Sequence, residues 1–415
     1  MKLATKIVVG MVFGIILGII FGPKIQVVQI VGDLFLKLLT MVVVPLIFVN
    51  VVAGISQMDD ASKFGRAGLK LIGYYLFTMT VAVLLGVISG FLIQPGAGVT
   101  LKAAEKAAQS VEQPTLVKVL SNFVPTNGIQ AMAEGKLLQV IVFAIFIGLG
   151  ILLLNKKEKD QLSDLFRRLS NLMIKVIGLV MELSPYGIAA LSAVTVGKYG
   201  PSIFGPMIKY VGAIYLAAIA QVLIVYFPLL YLFTRIGPLE FVKRTLPVWV
   251  TAATTCSSQA SLPVEYKTCE ENLGLPTNIC NFSLPLGATM NQDGNALWFG
   301  VIALFTAQIV GIPVTGAAVL QIAFLGVVLS LGSPGIPGGI FVATTAFLTG
   351  MGYPLEIAAM LMGIFRLMDI GLTTLNVTGD VVGATLVSKW EKMFDRKTSP
   401  LWDGAGTNTK NNLTV

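Results

Sequence analysis

Histidine is absent from all 415 residues, which removes histidine-based catalysis, histidine proton relays and imidazole metal ligands at once. Cysteine is almost absent. Cys256, Cys269 and Cys280 are an odd number without metal-ligand spacing, so they indicate neither a disulfide framework nor a zinc site. Charge is scarce as well, with Asp, Glu, Lys and Arg making up 12% of the chain where a soluble protein carries about twice that share. What fills the sequence is apolar: 55% of residues are hydrophobic and the mean hydropathy is +0.82. The net charge of +8 does not point to nucleic acid, because the basic residues sit between apolar runs rather than on one face. The N-terminal run to Phe21 resembles a signal peptide but lacks a small-residue cleavage site, and it is long enough to be a first membrane helix.

Six simple spanning candidates follow, at 4–22, 33–56, 69–95, 137–154, 169–196 and 205–234. The stretch from Pro95 to Pro125 reads as the longest loop outside the membrane, and no soluble domain is visible. With the N-terminus inside, the crossings put Lys63, Arg66, Lys70, Lys156, Lys157, Lys159, Arg167, Arg168, Arg235, Lys243 and Arg244 on the cytoplasmic side. A cytoplasmic C-terminus (Lys389, Lys392, Arg396, Lys397) then requires re-entrant hairpins in the last two fifths of the chain. Apolar stretches near 245–268 and 318–350 supply them. The first is interrupted by Thr254-Thr255-Cys256-Ser257-Ser258-Gln259-Ala260-Ser261, the second by Ser330-Leu331-Gly332-Ser333-Pro334-Gly335-Ile336-Pro337-Gly338-Gly339. Paired interrupted segments are the best sequence pointer to a transporter's binding site.

Each hairpin precedes a helix with a polar island. In 277–310 the run Leu284-Pro285-Leu286-Gly287-Ala288-Thr289-Met290-Asn291-Gln292-Asp293-Gly294-Asn295 puts a carboxylate and amides at membrane depth, where polar groups are normally tied to an ion or substrate path. Pro285, Gly287 and Gly294 invite a local break that frees backbone carbonyls as hard oxygen ligands beside Asp293. In 354–388, Asp369, Thr373, Asn376 and Asp380 recur at offsets of four, three and four, which confines them to a stripe about 60° wide. Two acids and two neutral ligands on one stripe of an apolar helix describe a cation or ammonium path.

These motifs, taken together and in order, resemble the glutamate/aspartate sodium symporters, the dicarboxylate/amino acid:cation symporter family. The likeness runs from Tyr74-Tyr75 and Thr78, through the serine-rich tip and Asn291-Gln292-Asp293-Gly294, to Asp369-Ile-Gly-Leu-Thr373-Thr-Leu-Asn376-Val-Thr-Gly-Asp380. It implies an all-α membrane protein with eight transmembrane helices and two re-entrant helical hairpins in inverted repeats. It also implies a homotrimeric elevator in the cell membrane that carries a small amino acid with sodium ions and has no prosthetic group. The implied division assigns 1–68 and 98–204 to a scaffold, 69–97 and 205–395 to a transport domain, and 396–415 to a disordered tail. One implied sodium site joins the Asp380 carboxylate to the carbonyls of Asn376, Gly287 and Asn291. A second uses Asp293, Asn291, Thr78 and Tyr75. A third uses backbone carbonyls of Thr289, Ser330, Leu331 and Ser333 beside Gln292. Substrate would rest on Ser257, Ser258, Thr289 and the hairpin backbone at Ile336 and Gly339, with Asp369 on the α-ammonium and Thr373 and Asn376 alongside.

The chain departs from the family pattern at Gln292, where methionine is usual, and at Leu372, where acidic-substrate members carry arginine. Leucine leaves a second substrate carboxylate unpaired, so the sequence favours a neutral amino acid, with glutamate, aspartate or a C4-dicarboxylate as the alternative. Arg366, three residues before Asp369, is placed to pair with that acid and reads as structural rather than substrate-binding. Two other classes compete with the transporter. A membrane enzyme lacks a nucleophile–base pair, and an ion channel fits buried carboxylates less well than a closed binding site does.

Overall fold

A computed structural model describes residues 3–56, 65–99, 124–200, 204–331, 333, 339–362 and 364–394. Every regular element among the described residues is helical. Helix α1 (Leu3–Phe21) passes through a 3-10 turn (Gly22–Val28) into α2 (Gln29–Ser56), followed by α3 (Gly65–Ile93). Next come α4 (Gly128–Ala133), α5 (Leu137–Leu152), α6 (Lys156–Glu182), α7 (Ser184–Tyr199) and α8 (Phe204–Thr234). The remainder is α9 (Pro238–Thr255), α10 (Ser258–Lys267), α11 (Thr277–Met290), α12 (Asp293–Val310), α13 (Gly316–Leu331), α14 (Gly339–Gly350), α15 (Glu356–Met362) and α16 (Phe365–Trp390).

Among the described residues five helical stretches are long and apolar enough to cross a membrane, or six if the bent pair α6–α7 is one span. Their exposure separates two environments. Only 17% of the best window in Val9–Phe35 is buried against 94% of that in Thr277–Val310. Ile19, Ile20, Phe21, Leu92 and Ile208 are among the large apolar side chains turned outward, as lipid-facing surface requires. Of the apolar candidates, 169–196 differs from the structure. The candidate at 4–22 coincides with α1, which ends at Phe21 where Gly22 turns left-handed at φ 54°, and the apolar track runs on through the 3-10 turn towards α2. The candidate at 169–196 is split at Leu183, where Pro185 opens α7 and the axis bends by 54°. The island helix expected over 277–310 does break, but at Asn291–Gln292; Pro285 and Gly287 stay inside α11.

Packing follows two groups. In the first, α7 lies against α1 and α2, and α2 also against α5 and α6. Gly10, Gly14 and Gly18 form one stripe on α1, and a Cβ on each would come within 2.5, 2.2 and 2.6 Å of the carbonyl oxygens of Pro185, Ala189 and Ala193. With lipid as solvent, such close backbone approach is what holds two apolar helices together. Gly14→Val therefore overpacks this seam by about 1–3 kcal/mol. Its expected outcome is a lower midpoint in thermal unfolding followed by size-exclusion fluorescence; an unshifted midpoint would mean the seam does not support the fold.

In the second group α12 is central, with every residue buried except Gln308. It packs on α3, α8, α13 and α16, and α16 in turn packs on α9 and α11. Trp298 on α12 sits edge-on to Tyr210 of α8 and Phe365 of α16 and donates from Nε1 to Thr344 Oγ1 of α14 at 2.9 Å. At one end of this group Arg66 and Lys70 of α3 reach Glu391, just past α16, at 3.0 and 2.7 Å. Their hydrogen bonds and charge hold the Glu391 carboxyl below its usual range. Ile336 and most of the second hairpin tip (332 and 334–338), residues 100–123 of the expected loop and the tail from 395 lie outside the described residues.

Candidate cation and substrate site

The site forms where α11 stops and α12 starts. Asn291 leaves the helical conformation with φ −85° and ψ 91°, so the carbonyl end of α11 and the amide end of α12 face one small region. A helix C-terminus favours a cation and an N-terminus an anion, and Asp293 occupies the first turn of α12 accordingly. Helix α16 crosses this break with its polar stripe inward: Asp369, Thr373, Asn376 and Asp380 are all buried.

Asn291 Nδ2 ties the two together, donating to Asp380 Oδ1 and to the Asn376 carbonyl at 2.9 Å each. The Gly294 amide donates to Asn376 Oδ1 at 2.6 Å. Such contacts need α16 pressed onto α12, and a Cβ at Gly294 would lie 2.3 Å from the Leu372 carbonyl oxygen. Gly287 allows the same close approach on α11, where a Cβ would meet Asp380 Oδ1 at 2.6 Å and the Tyr75 hydroxyl at 2.8 Å. The Gly287 carbonyl accepts from Asn291 N–H at 2.8 Å.

Asp293 is held from two other helices. Thr78 of α3 donates to Oδ1 at 3.1 Å, while Gln221 and Tyr226 of α8 both donate to Oδ2, Gln221 at 3.4 Å. Gln221 Nε2 also reaches the Thr78 carbonyl at 3.0 Å. Residues five apart point about 140° away from each other on an ordinary α-helix. They converge here because Gln221–Tyr226 is a π-helical segment, in which Phe227 N–H bonds back to Val222. Neither residue was legible as part of the site, although Gln221 is a lone amide in an apolar run.

Among the described residues neither Asp293 nor Asp380 has a cationic partner, and Asp380 Oδ2, Asn291 Oδ1 and Gln221 Oε1 are buried oxygens without a hydrogen-bond partner. Unmatched hard oxygens around two carboxylates at membrane depth are what a cation path presents. Tyr226→Phe removes a donor from the buried Asp293. It is expected to change the cation concentration for half-maximal uptake about tenfold, the usual effect of losing a hydrogen bond to a charged group. Parent-like cation dependence would put Asp293 outside the coupling path.

Gln292 links the remaining polar groups. Its Oε1 accepts from Asn376 Nδ2 at 2.9 Å and Asn295 Nδ2 at 3.1 Å, and Asn295 also donates to Ser333 Oγ at 3.1 Å. Asn295 is a further residue of this network that the reading of the island did not single out. Ser330 Oγ bonds back to Gly326, and the Ser330 carbonyl accepts from Ser333 N–H at 3.1 Å, beside Leu331 at the end of α13. Thr289, whose backbone carbonyl the third site calls on, has an exposed side chain that bonds to carbonyls of its own helix, and the Tyr75 hydroxyl turns to the Ser283 carbonyl (3.3 Å) and the Asp380 side rather than to Asp293.

The first hairpin breaks at Cys256, which is left-handed at φ 48°, and Ser257 Oγ caps α10 by accepting from Ala260 N–H at 3.2 Å. Ser258 starts α10 and is buried. The Cys256 thiol joins the Asp369 carboxylate, which also accepts from Thr373 Oγ1 at 3.1 Å and pairs with Arg366 at 3.4 Å. Leu372 is buried in the apolar core, so the guanidinium beside this acid is that of Arg366.

The sequence pattern of the sodium:dicarboxylate symporter family matches residues 3–390. The chain belongs to that family. It is 34% identical over 404 residues to the proton/sodium-glutamate symport protein of Bacillus subtilis (strain 168), covering 95% of this chain and 94% of the relative. It is 34% identical over 380 residues to the proton/glutamate-aspartate symporter of Escherichia coli (strain K12), covering 88% and 86%. A C4-dicarboxylate transport protein of Burkholderia cenocepacia (strain HI2424) is 30% identical over 399 residues, covering 94% and 91%. A member of this symporter family is an integral membrane protein and a transporter rather than an enzyme. The preference for a neutral substrate drawn from Leu372 is not what these relatives favour: their names specify glutamate, aspartate and C4-dicarboxylates.

Proposed function

We propose that this chain is a sodium-coupled symporter of an acidic amino acid, glutamate or aspartate. The observation that carries the reading is the Arg366–Asp369–Thr373 cluster, a guanidinium and a carboxylate side by side next to the Asn376–Asp380 network. On binding, the substrate's ammonium takes Asp369, and Arg366, released from that carboxylate, takes the side-chain carboxylate. The α-carboxylate rests on the first hairpin tip at Ser257 and Ser258. Asp380, with Asn376, Asn291 and Gly287, and Asp293, with Thr78, hold the co-transported cations. Binding of substrate and cation then depend on one another, because both sites share Asn376 and Gln292. The group of α1, α2 and α5–α7 serves as scaffold, and α3 with α8–α14 and α16 moves as the carrier, within a homotrimer whose termini are cytoplasmic.

A second reading, C4-dicarboxylate transport, draws on the Burkholderia relative. Asp369 argues against it, since a plain dicarboxylate brings no ammonium to that acid. The test is uptake into proteoliposomes of radiolabelled glutamate, aspartate, succinate and alanine under an inward gradient of sodium or of protons alone. Sodium-driven glutamate or aspartate uptake that excess succinate does not displace is expected. Uptake of succinate instead establishes the second reading, and uptake that follows only the proton gradient overturns sodium coupling.

A further inference from the structure

Glu265 lies in α10, the second arm of the first hairpin, with 0% exposure. Neither of its carboxylate oxygens has a partner among the described residues. A wholly buried acid without partners is costly, and the fold retains such a group only where something else neutralises it. Helix α10 packs on α11 and α16, the two helices that form the Asp380 region. Among the described residues no cationic side chain pairs with Glu265.

An independent observation marks the same place. Ser283 stands one turn before Gly287 on α11, and its carbonyl accepts from the Tyr75 hydroxyl that lies beside Asp380. The Ser283 hydroxyl is fully buried and unpartnered, as is Asp380 Oδ2. Asp380, the Tyr75 hydroxyl and the Ser283 backbone therefore meet at one point, and α10, which carries Glu265, packs against both helices that form it.

We propose that Glu265 is a second carboxylate of the cation site at Asp380, so that one co-transported sodium ion is held in the field of both acids. This rests on the reading of Asp380 as a cation site. A proton on Glu265 would silence that acid alone. A hard metal cation answers the carboxylate charges and the spare oxygens together. No residue of the polar island or of the α16 stripe supplies this charge; it comes from the hairpin, so the hairpin tip and the cation become linked.

The test measures binding of radioactive sodium to the purified full-length protein, and sodium-dependent uptake after reconstitution, for the parent, Glu265→Gln, Glu265→Asp and Asp380→Asn. Glu265→Gln is expected to weaken sodium binding about tenfold or more, in line with one charge lost near a cation in a partly shielded interior. Glu265→Asp should recover part of that affinity, and substrate affinity at saturating sodium should stay within about twofold for both, since no substrate contact is removed. Parent-like sodium affinity in Glu265→Gln overturns the proposal, as does a variant altered only in the pH dependence of uptake, which would make Glu265 a proton site. If Asp380→Asn abolishes sodium binding while Glu265→Gln does not, Glu265 alone is misassigned. If Asp380→Asn leaves binding intact, the underlying cation site is misplaced. Should the glutamine variant fail to elute as the parent does, Glu265→Met, uncharged and of similar length, decides: a parent-like sodium affinity overturns the proposal and a weakened one supports it.

Discussion

Replacing Asp380 or Asp293 by asparagine is expected to lower sodium-driven uptake by about a hundredfold or more at the parent's working sodium concentration. Both carboxylates are buried without a cationic partner among the described residues, and removing one side of a buried charge interaction costs about 3–5 kcal/mol. The two substitutions differ in what they leave behind. In Asp380→Asn the new side-chain carbonyl would still accept the Asn291 amide, so the α11–α16 contact persists and the loss should fall on cation affinity. In Asp293→Asn one side-chain oxygen would face three donors, Thr78, Gln221 and Tyr226, so this variant is expected also to loosen α3 and α8 against α12. Uptake at a series of sodium concentrations, with thermal unfolding alongside, reads both effects. Undiminished uptake by both variants would remove the carboxylates from the coupling path.

The second large effect belongs to Arg366. Arg366→Leu should lower glutamate and aspartate uptake by about a hundredfold while sparing cation binding, because it leaves a substrate carboxylate without its charge. Relative affinity should move towards small neutral amino acids, which need only Asp369 and the hairpin tip. Leu372→Arg makes the complementary variant: paired with Arg366→Leu it returns a guanidinium about two turns further along α16, and recovery of aspartate uptake in the double variant is expected. If Arg366→Leu transports aspartate like the parent, Arg366 only steadies Asp369, and another group recognises the side chain. The Arg366–Asp369 distance of 3.4 Å makes this the sharpest test of substrate class.

Leu372 shows how a single position misleads. The leucine replaces a charge expected from the family pattern, and a linear reading that takes Arg366 as a structural partner of Asp369 leaves the site without that charge. The relatives are named for glutamate and aspartate, and the one guanidinium placed beside Asp369 among the described residues is that of Arg366, which is why we assign it the substrate's second carboxylate. Apolar length misled at 169–196 in a similar way, since hydropathy counts residues and does not register the bend that Pro185 allows.

What the sequence determined by itself was the class of molecule and the inventory of its chemistry. Scarce charge and long apolar runs demand a membrane, and an acid within such a run demands a partner, so Asp293, Asp369 and Asp380 stood out before any folding was known. The α16 stripe was equally legible because helical periodicity is local. Tertiary structure decided which groups meet. Asn291 bonds to Asp380 across two helices, and the π segment turns both Gln221 and Tyr226 onto Asp293. Glu265 is left buried and without a hydrogen-bond partner among the described residues on α10, which packs on α11 and α16. Periodicity fixes the direction of a side chain along its own helix. Only the packing of helices distant in the chain sets what lies opposite, and at low dielectric that neighbour determines whether a carboxylate stays empty-handed or holds a cation.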